Sequence, residues 1–249
     1  MEEIYADIAI DCKQISKTYF TEVGHTINAL NSISFSVTKG TVMGIVGKNG
    51  CGKSTLLKIL AGIVKPTSGN VVLTGRVLSV LEVGTGFHYE LTGRENIFMN
   101  GKLHGFSSVE INGLTESIIE FSDIGAFIDE PVRTYSQGMY LRLAMAMVFF
   151  MDADIYIFDE VLSVGDEGFQ KKCFYRFQQL AASGKTILLV SQNFAQMAAV
   201  CNRCLVLYEG GIVADGAPLR VHQEFQQSLS KSAFAAEFDA SPVFNIVLD

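Results

Sequence analysis

The stretch Gly47-Lys48-Asn49-Gly50-Cys51-Gly52-Lys53-Ser54-Thr55 decides how the rest of the chain is understood. It fits G-x-x-x-x-G-K-[ST], the pattern of a phosphate-binding loop. Gly47, Gly50 and Gly52 let backbone N–H groups turn inward and approach phosphate oxygens with no Cβ in the way. Lys53 brings a point charge to the β- and γ-phosphates, and the Ser54 hydroxyl is a candidate Mg²⁺ ligand. Before the loop, Val42-Met43-Gly44-Ile45-Val46 predicts a buried strand. After it, Leu56, Leu57, Ile59, Leu60 and Ile63 recur at helical spacing. Strand, loop and helix N-terminus is the order such a site needs, because the helix dipole favours the phosphates. Cys51 is a small residue that suits the loop; if exposed, its alkylation would block nucleotide binding.

The 249 residues suffice for one large α/β domain or two small ones. With 49% hydrophobic and 18% charged residues, a sizeable core is expected. The net charge of -7 and the lack of a basic patch argue against a nucleic-acid partner. Met1-Glu2-Glu3-Ile4 lacks the charged and apolar regions of a signal peptide. The longest apolar run, Leu143 to Met151, is about half a membrane span and stops at Asp152. A cytosolic protein, at most peripheral to a membrane, is expected. Five cysteines form no disulfide framework. Cys201-Asn202-Arg203-Cys204 is a lone C-x-x-C without a second ligand pair, which favours packing over zinc or redox chemistry.

Along the chain, Ile8/Ile10 and Ile33/Phe35/Val37 alternate as strands do, and Val71/Leu73 and Val77/Val80 suggest shorter ones. A Gly-containing connector from Gly84 to Gly105 holds a short helix near Glu95 to Gly101. Ser108 to Asp129 reads as helical, with a stripe of Ile111, Leu114, Ile118, Ile119 and Phe121, and Pro131 breaks it. Met139 to Phe150 is a strongly apolar helix, and Phe169, Cys173, Phe177 and Leu180 mark an amphipathic one. Thr186 to Val190 is another buried strand. Leu205 to Leu207 and Gly211 to Val213 form a hairpin across Glu209-Gly210, and a last helix runs from about Pro218 to Ser230.

Ile155-Tyr156-Ile157-Phe158-Asp159-Glu160 is an apolar strand ending in two acids. A carboxylate there, Asp159, suits the Mg²⁺ shell. Glu160 suits the polarisation of a water in line with the γ-phosphate. Tyr135-Ser136-Gln137-Gly138-Met139 precedes the apolar helix and offers a hydroxyl, backbone N–H groups and a helix N-terminus to an anion.

With these three segments in order, the chain resembles the ATP-binding cassette family. Ser136 and Gly138 match the second and fourth positions of its Leu-Ser-Gly-Gly-Gln signature; Tyr135, Gln137 and Met139 depart from it. The resemblance implies an α/β P-loop cassette with a mixed β-sheet core, an antiparallel β subdomain and a helical subdomain at about residues 90–150. It places the ATPase domain at 1–217 and a C-terminal helix and short tail at 218–249. It implies ATP and Mg²⁺, with Gly47 to Thr55 and a stacking Tyr19 holding nucleotide, and Ser54 and Asp159 holding the metal. Glu160, Lys53 and Gln192 take the catalytic positions. Ser136, Gln137 and Gly138 would act in trans on nucleotide bound by a second copy. Asp166, in Ser163-Val164-Gly165-Asp166, matches the loop that reports across the dimer, and Glu82 occupies the place of the coupling-loop glutamine. Leu189-Val190-Ser191-Gln192-Asn193 departs from the family's strand-His-Asp switch, which implies retained binding and slowed hydrolysis.

Within the family, four stretches are similar to the exporters of O-antigen, capsule and teichoic acid. They are Glu82 to His88 with Glu90 to Asn96, Tyr135 to Met139, Val161 to Asp166, and Phe169 to Cys173. The resemblance implies a homodimer on the cytoplasmic face of the inner membrane, working with a separate transmembrane permease that handles the glycan. The connector around Phe87 to Glu95 would dock on that permease. Some relatives carry a C-terminal carbohydrate-binding β-sandwich; the roughly thirty residues after the last cassette strand are too short for one. Two alternatives stay open: a regulatory cassette that binds ATP with little hydrolysis, and an exporter subunit for another substrate. A DNA-repair or translation cassette would need coiled-coil insertions or tandem cassettes that this sequence lacks.

Overall fold

A computed structural model describes residues 7–20, 24–81, 86–159, 165–190 and 194–223. In chain order these form β1 (Ile8–Phe20), β2 (Thr26–Thr38), β3 (Val42–Val46), α1 (Lys53–Leu60), β4 (Ser68–Leu73) and β5 (Val77–Ser79). Next come α2 (Gly93–Leu103), α3 (Ser108–Ser122), α4 (Gln137–Phe150), β6 (Ile155–Asp159) and α5 (Glu167–Ala182). The chain continues through β7 (Thr186–Val190), α6 (Phe194–Val200), β8 (Arg203–Tyr208) and β9 (Gly211–Gly216).

One sheet has the order β5-β6-β7-β3-β8-β9, parallel except for β9. A second, antiparallel sheet has the order β2-β1-β4. Both faces of the larger sheet are covered, so its central strands are apolar throughout rather than alternating with polar residues. The strand period still sorts the side chains. Val42, Val46, Tyr156, Phe158, Ile187 and Leu189 enter a core with α3, α4 and α5. Met43, Ile45, Ile155, Ile157, Leu188 and Val190 enter the other core, with α1 and the antiparallel sheet. Helix α1 thus lies between the two sheets.

Aromatic rings consolidate the first core. Phe158 lies 5.3 Å from Phe149 and 5.8 Å from Phe177, ring centre to ring centre, and all three are buried. Truncating Phe158 to Ala is expected to cost about 3–5 kcal/mol.

Several boundaries differ from the sequence-based expectation. Helix α1 stops at Leu60, with Gly62 at φ 75°, so Ile63 leaves the stripe and is 45% exposed. The helical region expected over Ser108 to Asp129 divides at Asp123, which takes φ 54°, and a 3₁₀ turn covers Gly125–Asp129. Ile124 and Ile128 are still buried, so the apolar stripe outlasts the α-helix. Helix α2 is longer than expected because Thr92 and Glu95 close a capping box at its start. Helix α4 begins two residues earlier than expected, at Gln137, because Ser136 caps it. The hairpin turn at Glu209-Gly210 is as expected, with φ 46° and 76° at its two central residues. Residues 218–223 begin the last helix; its expected continuation to Ser230 lies outside the described residues. Among the described residues no helix is long and apolar enough to cross a membrane.

Candidate functional site

The loop between β3 and α1 is shaped by its glycines and by three other segments. Gly52 sits at φ 110°, and a Cβ there would collide with the Ala29 carbonyl of β2. A Cβ at Gly47 would collide with the Leu207 carbonyl of β8. From the hairpin, the Gly210 N–H donates to the Cys51 carbonyl (3.1 Å), and the Asn31 N–H donates to the Gly210 carbonyl (2.8 Å). The loop therefore has a fixed course, with the N-terminus of α1 at its end.

Lys53 is the buried charge of the site, 6% exposed. Its Nζ donates to the carbonyls of Gly47 (2.7 Å) and Lys48 (2.8 Å). An ammonium has three donors and no acceptor, so two loop carbonyls orient it. Cys51 lies beneath the loop and is 6% exposed. Burial raises its thiol pKa, opposed by the charge of Lys53. The condition for alkylation, an exposed thiol, is not met: the Cys51 sulfur packs toward Gly47, 2.5 Å from where a Cβ there would stand.

A cleft of about 530 Å³ opens over the loop. Asn49, Gly50, Gly52, Lys53, Ser54 and Thr55 line it, with Tyr19, Ile27, Asn28 and Ala29 on one side and Asp159 at the end of β6. Parallel strands β6, β7 and β3 end on this same edge, where open α/β sheets bind ligands. The structure thus brings Tyr19, the loop, Ser54 and Asp159 together. Gly47, Lys48 and Cys51 do not line the cleft; the Gly47 and Lys48 carbonyls orient Lys53 within it. Tyr19 is half-buried, with Lys17 Nζ 5.0 Å from its ring centre. The Ser54 hydroxyl and the Asp159 carboxylate are hard oxygen donors facing one cleft, which fits Mg²⁺. The β2 residues Ile27, Asn28 and Ala29 carried no sequence signal; only the fold brings them here.

Ser136, Gln137 and Gly138 stand apart from this cleft. Ser136 Oγ accepts from the Met139 N–H (3.2 Å), and Ser136 and Gln137 are exposed. Only Ser136 Oγ, 3.8 Å away, approaches the position of a Cβ on Gly138. The α4 N-terminus is open to another molecule.

Asp166 caps α5, accepting from the Phe169 N–H (3.0 Å). Its other oxygen accepts from Arg142 of α4. The Phe169 N–H, and then Arg142, hold its carboxyl below the usual range. Arg142 also donates to Asp123 (3.3 Å), and its guanidinium lies 4.8 Å from the centre of the Phe169 ring. Arg142 carries a sequence signal of its own, a lone cation within the apolar run from Met139 to Phe150. Glu82, Glu160 and Gln192 lie outside the described residues. Cys201 and Cys204 are both buried. Among the described residues no cluster of three or more metal-binding side chains occurs.

A family model described as "ABC transporter" matches residues 30–163. The ABC transporter protein AbcA of Aeromonas salmonicida is 45% identical over 81% of this chain and 65% of its own length. The O-antigen export system ATP-binding protein RfbB of Klebsiella pneumoniae is 43% identical over 83% of this chain and 84% of its own. The teichoic acids export ATP-binding protein TagH of Listeria innocua is 40% identical over 80% of this chain and 59% of its own. The chain spans from under half to most of the lengths of such relatives: 47% of the Myxococcus xanthus RfbB. A solved dimeric ATP-binding cassette in a post-hydrolysis state with ADP and Pi superposes with a TM-score of 0.73 at 21% identity. That match covers 84% of this chain and 98% of the other, and it supports the fold.

Proposed function

We propose, from the premise that this chain belongs to the ABC transporter family, that it is the ATP-hydrolysing subunit of a polysaccharide or lipid-linked glycan exporter. The observation that carries the ATP site is the buried Lys53 ammonium, oriented by the Gly47 and Lys48 carbonyls in the cleft shared by Ser54 and Asp159. The relatives named for O-antigen and teichoic acid export support the substrate class.

In this account Tyr19 stacks on the base, and the loop N–H groups and Lys53 bind the phosphates. Ser54 and Asp159 hold Mg²⁺, which supplies charge neutralisation at the phosphate oxygens. Glu160 takes a proton from the attacking water. Ser136, Gln137 and Gly138 close over the γ-phosphate of a second, head-to-tail copy, because they do not line their own cleft and Ser136 and Gln137 are exposed. The subunit sits peripherally on the inner membrane's cytoplasmic face and drives a separate permease through Glu82 and the connector beside it.

Phosphate release tests this. The parental protein with its multi-span partner should hydrolyse ATP, and Lys53→Ala and Glu160→Gln should not. Equal rates in all three would refute the assignment. Gln192 in the switch position favours a second account, ATP binding with little hydrolysis. A Gln192→His variant that fails to gain rate would remove that favour.

A further inference from the structure

The connector that opens α2 is fastened by two buried asparagines. Asn96 is fully buried. Its Oδ1 accepts from the His88 N–H (2.6 Å), and its Nδ2 donates to the carbonyls of His88 (3.0 Å), Leu91 (3.1 Å) and Thr92 (2.9 Å). Asn100, 1% exposed, donates to the Gly86 carbonyl (3.2 Å) one turn further on. A buried amide with both ends engaged, as in Asn96, is costly to replace and fixes one geometry.

The fastened connector is in turn hydrogen-bonded to the segment that leads into α4. The Val132 N–H donates to the Leu91 carbonyl (2.9 Å), and the Arg133 N–H donates to the Tyr89 carbonyl (3.0 Å). Thr92 bridges to Pro131, and Glu90 pairs with Arg133 (3.3 Å). Tyr135 then donates its hydroxyl to the Phe127 carbonyl (2.7 Å) and stands where a Cβ on Gly93 would be. Ser136 follows directly as the cap of α4. The exposed tip at Tyr89-Glu90 and the exposed cap at Ser136 are two ends of one ribbon.

We infer that Asn96 is a positioning residue: through the ribbon of 88–92 and 131–133 it sets the placement of Ser136, so that load on Tyr89-Glu90 moves the α4 N-terminus. Its effect on the second copy's nucleotide rests on the function proposed above; the mechanical tie itself does not.

Two arms test it. Hydrogen exchange on the nucleotide-free protein compares Asn96→Ala with the parent. Exchange should rise about tenfold or more at 88–92 and at 136–140 together, with β3 and α1 unchanged. A rise confined to the connector would overturn the tie. In a Glu160→Gln background, the ATP-driven dimer should weaken about tenfold, while binding of a fluorescent ATP analogue to the monomer stays within about twofold. Parental-strength dimerisation would overturn the positioning role. Should Asn96→Ala not fold, Glu90→Ala/Arg133→Ala, a pair on the surface, should raise exchange at 136–140, and no rise there would overturn the tie. A Glu160→Gln parent that never dimerises would overturn the proposed function and leave the exchange arm to decide the tie.

Discussion

Arg142 in α4 and Asp166 at the start of α5 are ion-paired, and the pair joins the helix carrying Ser136 to the segment that follows β6. Both Asp166 oxygens are engaged within the chain, one by Arg142 and one by the Phe169 N–H. Asp166→Asn keeps a good helix cap and loses only the pair. It should therefore alter stability less than Arg142→Ala, which also loses Asp123 and the Phe169 ring. The expected cost of Arg142→Ala is about 1–2 kcal/mol, a fall in Tm of roughly 2–8 °C. Calorimetry of both variants checks the order.

Gly52 and Lys53 set the loop. Gly52→Ala must place a Cβ at φ 110° against the Ala29 carbonyl, so the loop or β2 has to move. Stability should fall by about 1–3 kcal/mol. Lys53→Met removes the ammonium that bridges Gly47 and Lys48 and should weaken ATP binding by about 10–100-fold. Thermal melts and titration with a fluorescent ATP analogue measure the two effects.

Tyr19 lines the cleft, opposite Ile27 of β2. Tyr19→Ala should weaken ATP binding about tenfold, and Tyr19→Phe should restore most of it, because the ring face rather than the hydroxyl does the stacking. An equal loss in both variants would instead assign the effect to the hydroxyl.

Burial pushes the thiols of Cys12 and Cys173 up to about 12 from an ordinary 9.0. Their folded pKa is raised, so the unfolded chain loses these protons first. Their stability contribution is whole below about pH 9 and declines as pH rises from there toward 12. A thiol reagent at pH 8 should react slowly with the native protein at both positions and at Cys51, and quickly after denaturation. Rapid labelling of native Cys51 would contradict the buried sulfur.

Local chemistry made much of this legible in sequence. The apolar strands, the Gly-rich loop and the hairpin at Glu209-Gly210 each depend on residues within a few positions of one another. Helix ends were less legible because they hinge on single residues: the φ of Asp123, the Ser136 cap, the Gly62 stop. Ile27, Asn28 and Ala29 were invisible as cleft residues, since they reach the loop only through sheet packing. Asn96 falls within the short helix expected near Glu95 to Gly101, and only its burial shows that it fastens the connector.

The central claim is that Gly47 to Thr55 of one copy and Ser136 to Gly138 of another form one site. Sedimentation velocity of Glu160→Gln with and without Mg²⁺-ATP tests it most directly, alongside the same protein carrying Ser136→Arg. The account predicts an ATP-dependent dimer in the first, and in the second a monomer that still binds the fluorescent analogue. A monomer in both, or a dimer that tolerates Ser136→Arg, would contradict it.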